Sequence, residues 1–71
     1  MKGIYYKITG VDKIFSSLND AKVHIWFDYT NEERKILDGE SIVKYINGEP
    51  VTEKRIKFKG ERYGFGRTKR L

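Results

Sequence analysis

Ser16–Tyr29, SSLNDAKVHIWFDY, is the stretch whose reading decides the fold. Ser17 can accept from the first free backbone N–H groups of a helix, and Asp20, three residues on, supplies the acidic half of a capping box. Leu18, Ala21, Ile25 and Tyr29 then fall at i, i+3, i+7 and i+11, one apolar stripe at helical period. Asp20, His24 and Asp28 form a polar stripe beside it at four-residue spacing. Val23 and Phe27 lie on the face opposite Leu18, with Trp26 between, so the helix is apolar on two sides. Val23, Ile25, Phe27 and Tyr29 also alternate as a strand would. Helix is preferred because Asn19, Asp20, Ala21 and Lys22 have no strand character and no Gly or Pro separates them from Val23.

Outward from this segment the chain reads as strands. Gly3–Thr9, GIYYKIT, alternates with Ile4, Tyr6 and Ile8 on one side and Tyr5, Lys7 and Thr9 on the other. Gly10-Val11-Asp12 supplies a turn and Lys13-Ile14-Phe15 a short return. Beyond the helix, Thr30 with Glu33 is a second capping-box pattern and Asp38-Gly39 a stop or turn. Residues 31–37 read equally as a one- to two-turn helix or as a loop folding Ile36 and Leu37 back over Val23, Trp26 and Phe27. Ser41–Ile46 is a strand, Asn47-Gly48-Glu49-Pro50 a hairpin turn and Val51–Phe58 the partner strand. In that strand Ile56 and Phe58 share one face, while Arg55, Lys57 and then Lys59 share the other. From Gly60, GERYGFGRTKRL holds three glycines and no apolar periodicity, which predicts a mobile end. The expected fold is a small α+β domain, β-β-α-β-β, with one helix packed on an antiparallel sheet. It is expected to span residues 1–59, with 60–71 as a basic, Gly- and aromatic-containing flexible tail.

A chain of 71 residues is one domain. A chain of this size buries only about 60% of the surface its unfolded form exposes, so its stability is marginal. It has no cysteine, so neither a disulfide framework nor a thiolate metal site supports it. No run of about 18 apolar residues exists, and MKGIYYKITG lacks the apolar region and cleavage site of a signal peptide. The expectation is a cytoplasmic protein with no membrane association.

Charge is distributed unevenly. Residues 1–53 carry seven Lys/Arg and nine Asp/Glu, a net −2, whereas residues 54–71 carry eight Lys/Arg and one Glu, a net +7. A mildly acidic body with a strongly basic end is the asymmetry of a module that meets an anionic partner through that end. Arg55, Lys57 and Lys59 make a positive row, with Lys54 beside it. Beyond them Arg62, Tyr63, Phe65, Arg67, Lys69 and Arg70 interleave cations with rings and glycines. Cations neutralise phosphates, rings stack on unpaired bases and glycines let the backbone approach. These ten residues are the candidate nucleic-acid contacts, for DNA or RNA without strong sequence specificity. The competing arrangement has Tyr63 and Phe65 packed back on the sheet and the cations merely solvating it. The alternative function is a protein-interaction module or homodimer that uses Val23, Trp26 and Phe27, since an uncovered aromatic patch marks an interface.

Catalytic chemistry finds no support. Asp20, His24 and Asp28 are metal-ligand types at i, i+4 spacing, but further ligands are lacking and a solvated helix face explains them. Ser17 and His24 are seven residues apart, about 10 Å along a helix, too far for a serine–histidine pair. Glu32 and Glu33 are adjacent and diverge. The expectation is a non-enzymatic protein with no cofactor, no metal and no small-molecule substrate.

Gly3-Ile4-Tyr5 spells the opening of the GIY-YIG nuclease signature, but the second strand and the arginine helix of that motif are missing. Tyr5-Tyr6-Lys7-Ile8, Ile14-Phe15-Ser16-Ser17 and Asp20-Ala21-Lys22 together resemble the start of the small hybrid-binding module at the N-terminus of some ribonuclease H enzymes. There too a hairpin runs into a helix, and the module grips duplex backbones. The resemblance covers the first third of the chain. It departs at Leu18, where that family usually has Trp, and in lacking the glycine-rich turn after the helix, so it does not establish membership.

Overall fold

A computed structural model describes residues 3–59 and 62–71. The chain is an α+β domain with one five-stranded antiparallel sheet and a helical layer on one face. The elements run β1 (Ile4–Ile8), β2 (Ile14–Phe15), α1 (Leu18–Phe27), α2 (Asn31–Ile36), β3 (Ser41–Ile46), β4 (Glu49–Lys59) and β5 (Arg62–Arg70). Spatial order is β2-β1-β3-β4-β5.

Local chemistry sets the boundaries. Gly10 takes φ +85° in the turn that returns β1 to β2, a conformation glycine adopts without steric cost. Ser17 caps α1: its hydroxyl oxygen accepts from the Asp20 backbone N–H at 3.0 Å, and the Ser16 hydroxyl donates to the Asp20 carboxylate at 2.7 Å. Residues 31–37, whose sequence suits either a helix or a loop, begin with helix α2. It starts with a complete capping box, the Thr30 hydroxyl accepting from the Glu33 N–H and the Glu33 carboxylate from the Thr30 N–H. Asn47 and Gly48 both take positive φ, 51° and 86°, which matches the twist of a two-residue β-hairpin between β3 and β4.

The core lies between the sheet and α1. Ile8, Phe15, Ala21, Ile25, Leu37, Ile42 and Ile56 are buried in it, with Tyr6, Val11, Leu18, Tyr29 and Phe65 packed against its margin. The stripe read from the sequence is therefore the inward one: Ala21 and Ile25 are fully covered, Leu18 and Tyr29 partly. Each fully buried Ile contributes about 1.5–3 kcal/mol of transfer free energy. Leu37 turns into this core while Ile36 stays exposed, so the segment after α1 covers the common core rather than Trp26 and Phe27.

Arg34 locks the two helices together. Its guanidinium donates from Nε to the Ile25 carbonyl (3.2 Å) and from Nη2 to the carbonyls of Trp26 (2.9 Å) and Tyr29 (2.8 Å). Nη1 donates to Asn31 Oδ1 (2.6 Å). Carbonyls at the end of α1 lack intrahelical donors, and this cation from α2 supplies them.

One correction concerns the C-terminal end. Residues 62–70, read from the sequence as part of a flexible tail beyond a domain ending at 59, form β5, paired with β4 from Lys59↔Arg62 to Thr52↔Arg70. The stabilising interaction is the non-local backbone ladder with β4, which needs no apolar run. Gly60 and Glu61, with Met1 and Lys2, lie outside the described residues, as do the side chains of Lys59, Arg62 and Tyr63. Among the described residues no helix is long and apolar enough to cross a membrane.

Candidate nucleic-acid interface

Antiparallel partners project to the same side of a sheet, so the register assigns the two faces. Ile8, Ile42, Lys54 and Thr68 form one row and Tyr6, Lys44, Thr52 and Arg70 the next, and both face the helix layer. Lys7, Val43, Glu53 and Lys69 form a row on the other face, as do Tyr5 and Tyr45. The helical layer packs on the first face only, with α1 against β1, β2 and β3. Among the described residues no helix packs on the second face, which is open.

The register slips between Lys54 and Ile56. Lys54 pairs with Thr68 and Ile56 with Phe65, so Arg55 stands opposite both Gly66 and Arg67. This extra residue in β5 inverts its alternation. Phe65 faces the core, whereas Arg67 and Lys69 join Arg55 and Lys57 on the open side. The four cations and Glu53 surround a groove of about 250 Å³ with Gly66 among its lining residues. A Cβ at Gly66 would stand 3.5 Å from Lys57 Cε and 3.7 Å from Arg55 Cβ, so the missing side chain leaves space between them. All four cations are exposed. The ion pairs among the described residues, His24–Asp28 and Lys35–Glu32, lie on the helices, so no carboxylate occupies the groove cations.

On the same face, at the other end of β1 and β3, the Tyr5 and Tyr45 rings stack with centroids 5.1 Å apart and planes 4° from parallel. Both are half-buried, and Lys7 follows Tyr5 along the strand.

The ten residues singled out by sequence thus divide. Arg55, Lys57, Arg67 and Lys69 come together in the groove. Lys54 is on the helix-side face, donating to the Thr68 hydroxyl at 3.3 Å. Arg70 is on that face too, against Lys44, Ile46 and Thr52. Phe65, a candidate base-stacking ring, takes the competing arrangement and packs against the core, with the Lys22 ammonium 5.0 Å from its centroid. The β5 slip turns it inward. The side chains of Lys59, Arg62 and Tyr63 lie outside the described residues, though their backbones pair in the hairpin.

Tyr5, Lys7, Tyr45 and Gly66 were not among the sequence candidates. The signal for the first two was present: Tyr5, Lys7 and Thr9 alternate away from the Ile face.

Val23, Trp26 and Phe27 are 42%, 51% and 73% exposed, and Ile36 77%. The Arg34 guanidinium lies 5.3 Å from the Trp26 ring. The polar stripe on α1 is engaged internally: His24 Nδ1 is 2.6 Å from Asp28 Oδ2, and Asp20 takes the Ser16 hydroxyl. Tyr29 has its phenol raised above the usual range, first by burial and then by the negative charges of Glu33 and Asp28.

Comparison with protein-family models, with curated proteins and with solved structures finds no match to this chain.

Proposed function

We propose that this protein is a non-enzymatic nucleic-acid-binding module that uses the open face of its sheet and has no strong sequence specificity. The observation that carries the reading is the groove of Arg55, Lys57, Arg67 and Lys69 beside Gly66, on a face that no helix covers. Four exposed cations that form no ion pair among the described residues suit a counterion-releasing phosphate site. Among the described residues, Glu53 is the carboxylate that lines the groove.

The test is a salt-series anisotropy titration against labelled random oligonucleotides, single- and double-stranded, DNA and RNA. Removing residues 60–71 would take away β5, so the comparison uses Arg55→Ser/Arg67→Ser instead. For single strands the slope of log K on log salt is about −0.7 per phosphate neutralised, so losing two contacts flattens it by about 1.4. Absence of binding by the intact protein at low salt would end the reading.

A second reading is favoured by the exposure of Val23, Trp26, Phe27 and Ile36. Val23 and Phe27, four apart with Trp26 between, share one side of α1, a patch suited to a protein partner or a second copy. Sedimentation showing a strict monomer at high concentration, with no change in Trp26 fluorescence on dilution, removes the homodimer.

A further inference from the structure

We infer that the ligand of the open face is a single strand, with its phosphates at the Arg55–Lys57–Arg67–Lys69 groove and its bases stacked at the Tyr5–Tyr45 pair. This rests on the nucleic-acid reading above and narrows it to one class of ligand. Three features of the face decide between single strand and duplex.

The first is the ring pair. Tyr5 and Tyr45 are already parallel, stacked 5.1 Å apart, so a base joining the stack meets an ordered platform. β2 pairs with β1 only at Tyr6 and Lys7, so no strand pairing continues beside Tyr5. A duplex keeps its bases inside and offers a ring platform nothing. A single strand gains a stacking contact per base.

The second is the separation of charge and ring. Tyr5 is three strands from β5 and two rows of partners from Arg67, so they are about 20 Å apart, from spacings of about 4.8 Å between strands and about 3.3 Å per residue. A single strand anchored by a few phosphates at the groove can turn and run across the sheet, bringing later bases to the rings over a few nucleotides, whereas a stiff duplex cannot bend over that distance.

The third is Glu53. It sits between Val43 and Lys69 in the middle row of the face, where it disfavours a second line of phosphates. A duplex lays two backbones against a surface, and a single strand lays one. Glu53 has acceptor oxygens to offer the amino group of an unpaired base.

The experiment compares four labelled probes of about 12 nucleotides: single-stranded oligo-dT, single-stranded oligo-rU, a mixed-sequence DNA duplex, and an oligomer of the same length with abasic sugars throughout. Single strands are expected to bind more tightly than the duplex. The abasic strand should lose between about fivefold and a hundredfold, the range for stacking one base, while its salt slope equals that of oligo-dT. The dT and rU arms separate DNA from RNA as the source of the strand. Tyr45→Ala should reproduce the abasic loss on oligo-dT and leave abasic binding unchanged; Tyr45→Phe should bind as the intact protein does. The abasic comparison uses the unmodified protein, so it decides even where Tyr45→Ala fails to fold.

Equal affinity for oligo-dT and its abasic analogue, or a duplex bound as tightly as the single strands, overturns the single-strand inference while leaving a phosphate-binding protein intact. Failure of every probe to bind at low salt overturns both.

Discussion

Removing the Arg34 guanidinium should unfasten α1 from α2 and destabilise the whole domain. The side chain makes three bonds to backbone carbonyls, at 2.8–3.2 Å, and one to Asn31. A net hydrogen bond from a charged donor contributes about 1.5–3 kcal/mol when shielded. Arg34 is half-buried, so water can re-solvate part of what is lost, and about 1 kcal/mol for each carbonyl is the better figure. The interaction of the cation with the C-terminal end of the helix dipole adds about 0.3–1 kcal/mol. Arg34→Ala should therefore cost about 3–4 kcal/mol. A domain of this length has only about 4–11 kcal/mol in total. At about 4–8 °C per kcal/mol the melting temperature falls by at least about 12 °C. Arg34→Lys keeps the charge and its dipole interaction, but an ammonium cannot fork to three carbonyls, and should recover less than half. Urea unfolding followed by far-ultraviolet dichroism and by Trp26 fluorescence gives the two measurements; the second probe sits beside the substitution. Arg34→Ala within about 0.5 kcal/mol of the parent, the range of an ordinary surface change, would refute the clamp. Arg34→Lys equal to the parent would show that charge, not the fork, is what matters.

Gly66→Glu should leave the melting temperature nearly unchanged, since Gly66 is not at positive φ and a Cβ there meets only ordinary contacts. It should flatten the salt slope of nucleic-acid binding by roughly one phosphate's share. Gly10→Ala should destabilise by about 1 kcal/mol or more in thermal unfolding, because φ is +85° and the new Cβ would lie 3.3 Å from Glu40 Oε2. Tyr29 holds its proton more tightly when folded, through burial and the nearby Glu33 and Asp28 charges. Its contribution is therefore fully present below the unfolded phenol pKa of about 10 and is lost as pH rises beyond it toward the folded value. Tyr29→Phe should lose less stability than the parent in urea titrations above pH of about 10, and parallel curves there would show that the site is solvated.

Features governed by a few adjacent residues were legible in the sequence. Ser17 as a cap, Thr30 with Glu33 as a capping box, Asn47-Gly48 as a hairpin turn and the Ala21/Ile25 stripe all depend on contacts within about four positions, where local chemistry dominates. β5 was not legible, because glycines at 64 and 66 and the lack of an apolar run remove each local strand signal, and only pairing with β4 stabilises it. The candidate site was half legible for the same reason. Simple alternation would put Tyr63, Phe65, Arg67 and Lys69 on one side. The slip at Arg55 sends Phe65 inward and Arg67 outward; Gly66 at the slip is the residue type that marks a bulge, but it carries that meaning only once the segment is read as a strand. The tyrosine pair requires knowing that β1 neighbours β3 in register, a topological fact.

The basic hairpin has a simpler explanation to overcome. β5 is an edge strand, and natural edges carry Lys and Arg to discourage pairing with another sheet. Arg70 on the helix side serves that purpose as well as Arg67 and Lys69 do, and edge protection is satisfied by charge of either sign on either face. It does not call for a slip that gathers four cations on one face around a glycine, nor for a stacked ring pair on that same face. The two explanations separate on the sign of charge. Arg67→Glu/Lys69→Glu keeps the edge charged, so a purely protective role predicts undiminished solubility and no change in any binding. A phosphate groove predicts undiminished solubility with loss of oligonucleotide affinity at all salt concentrations, because two attractions become two repulsions at the site of contact.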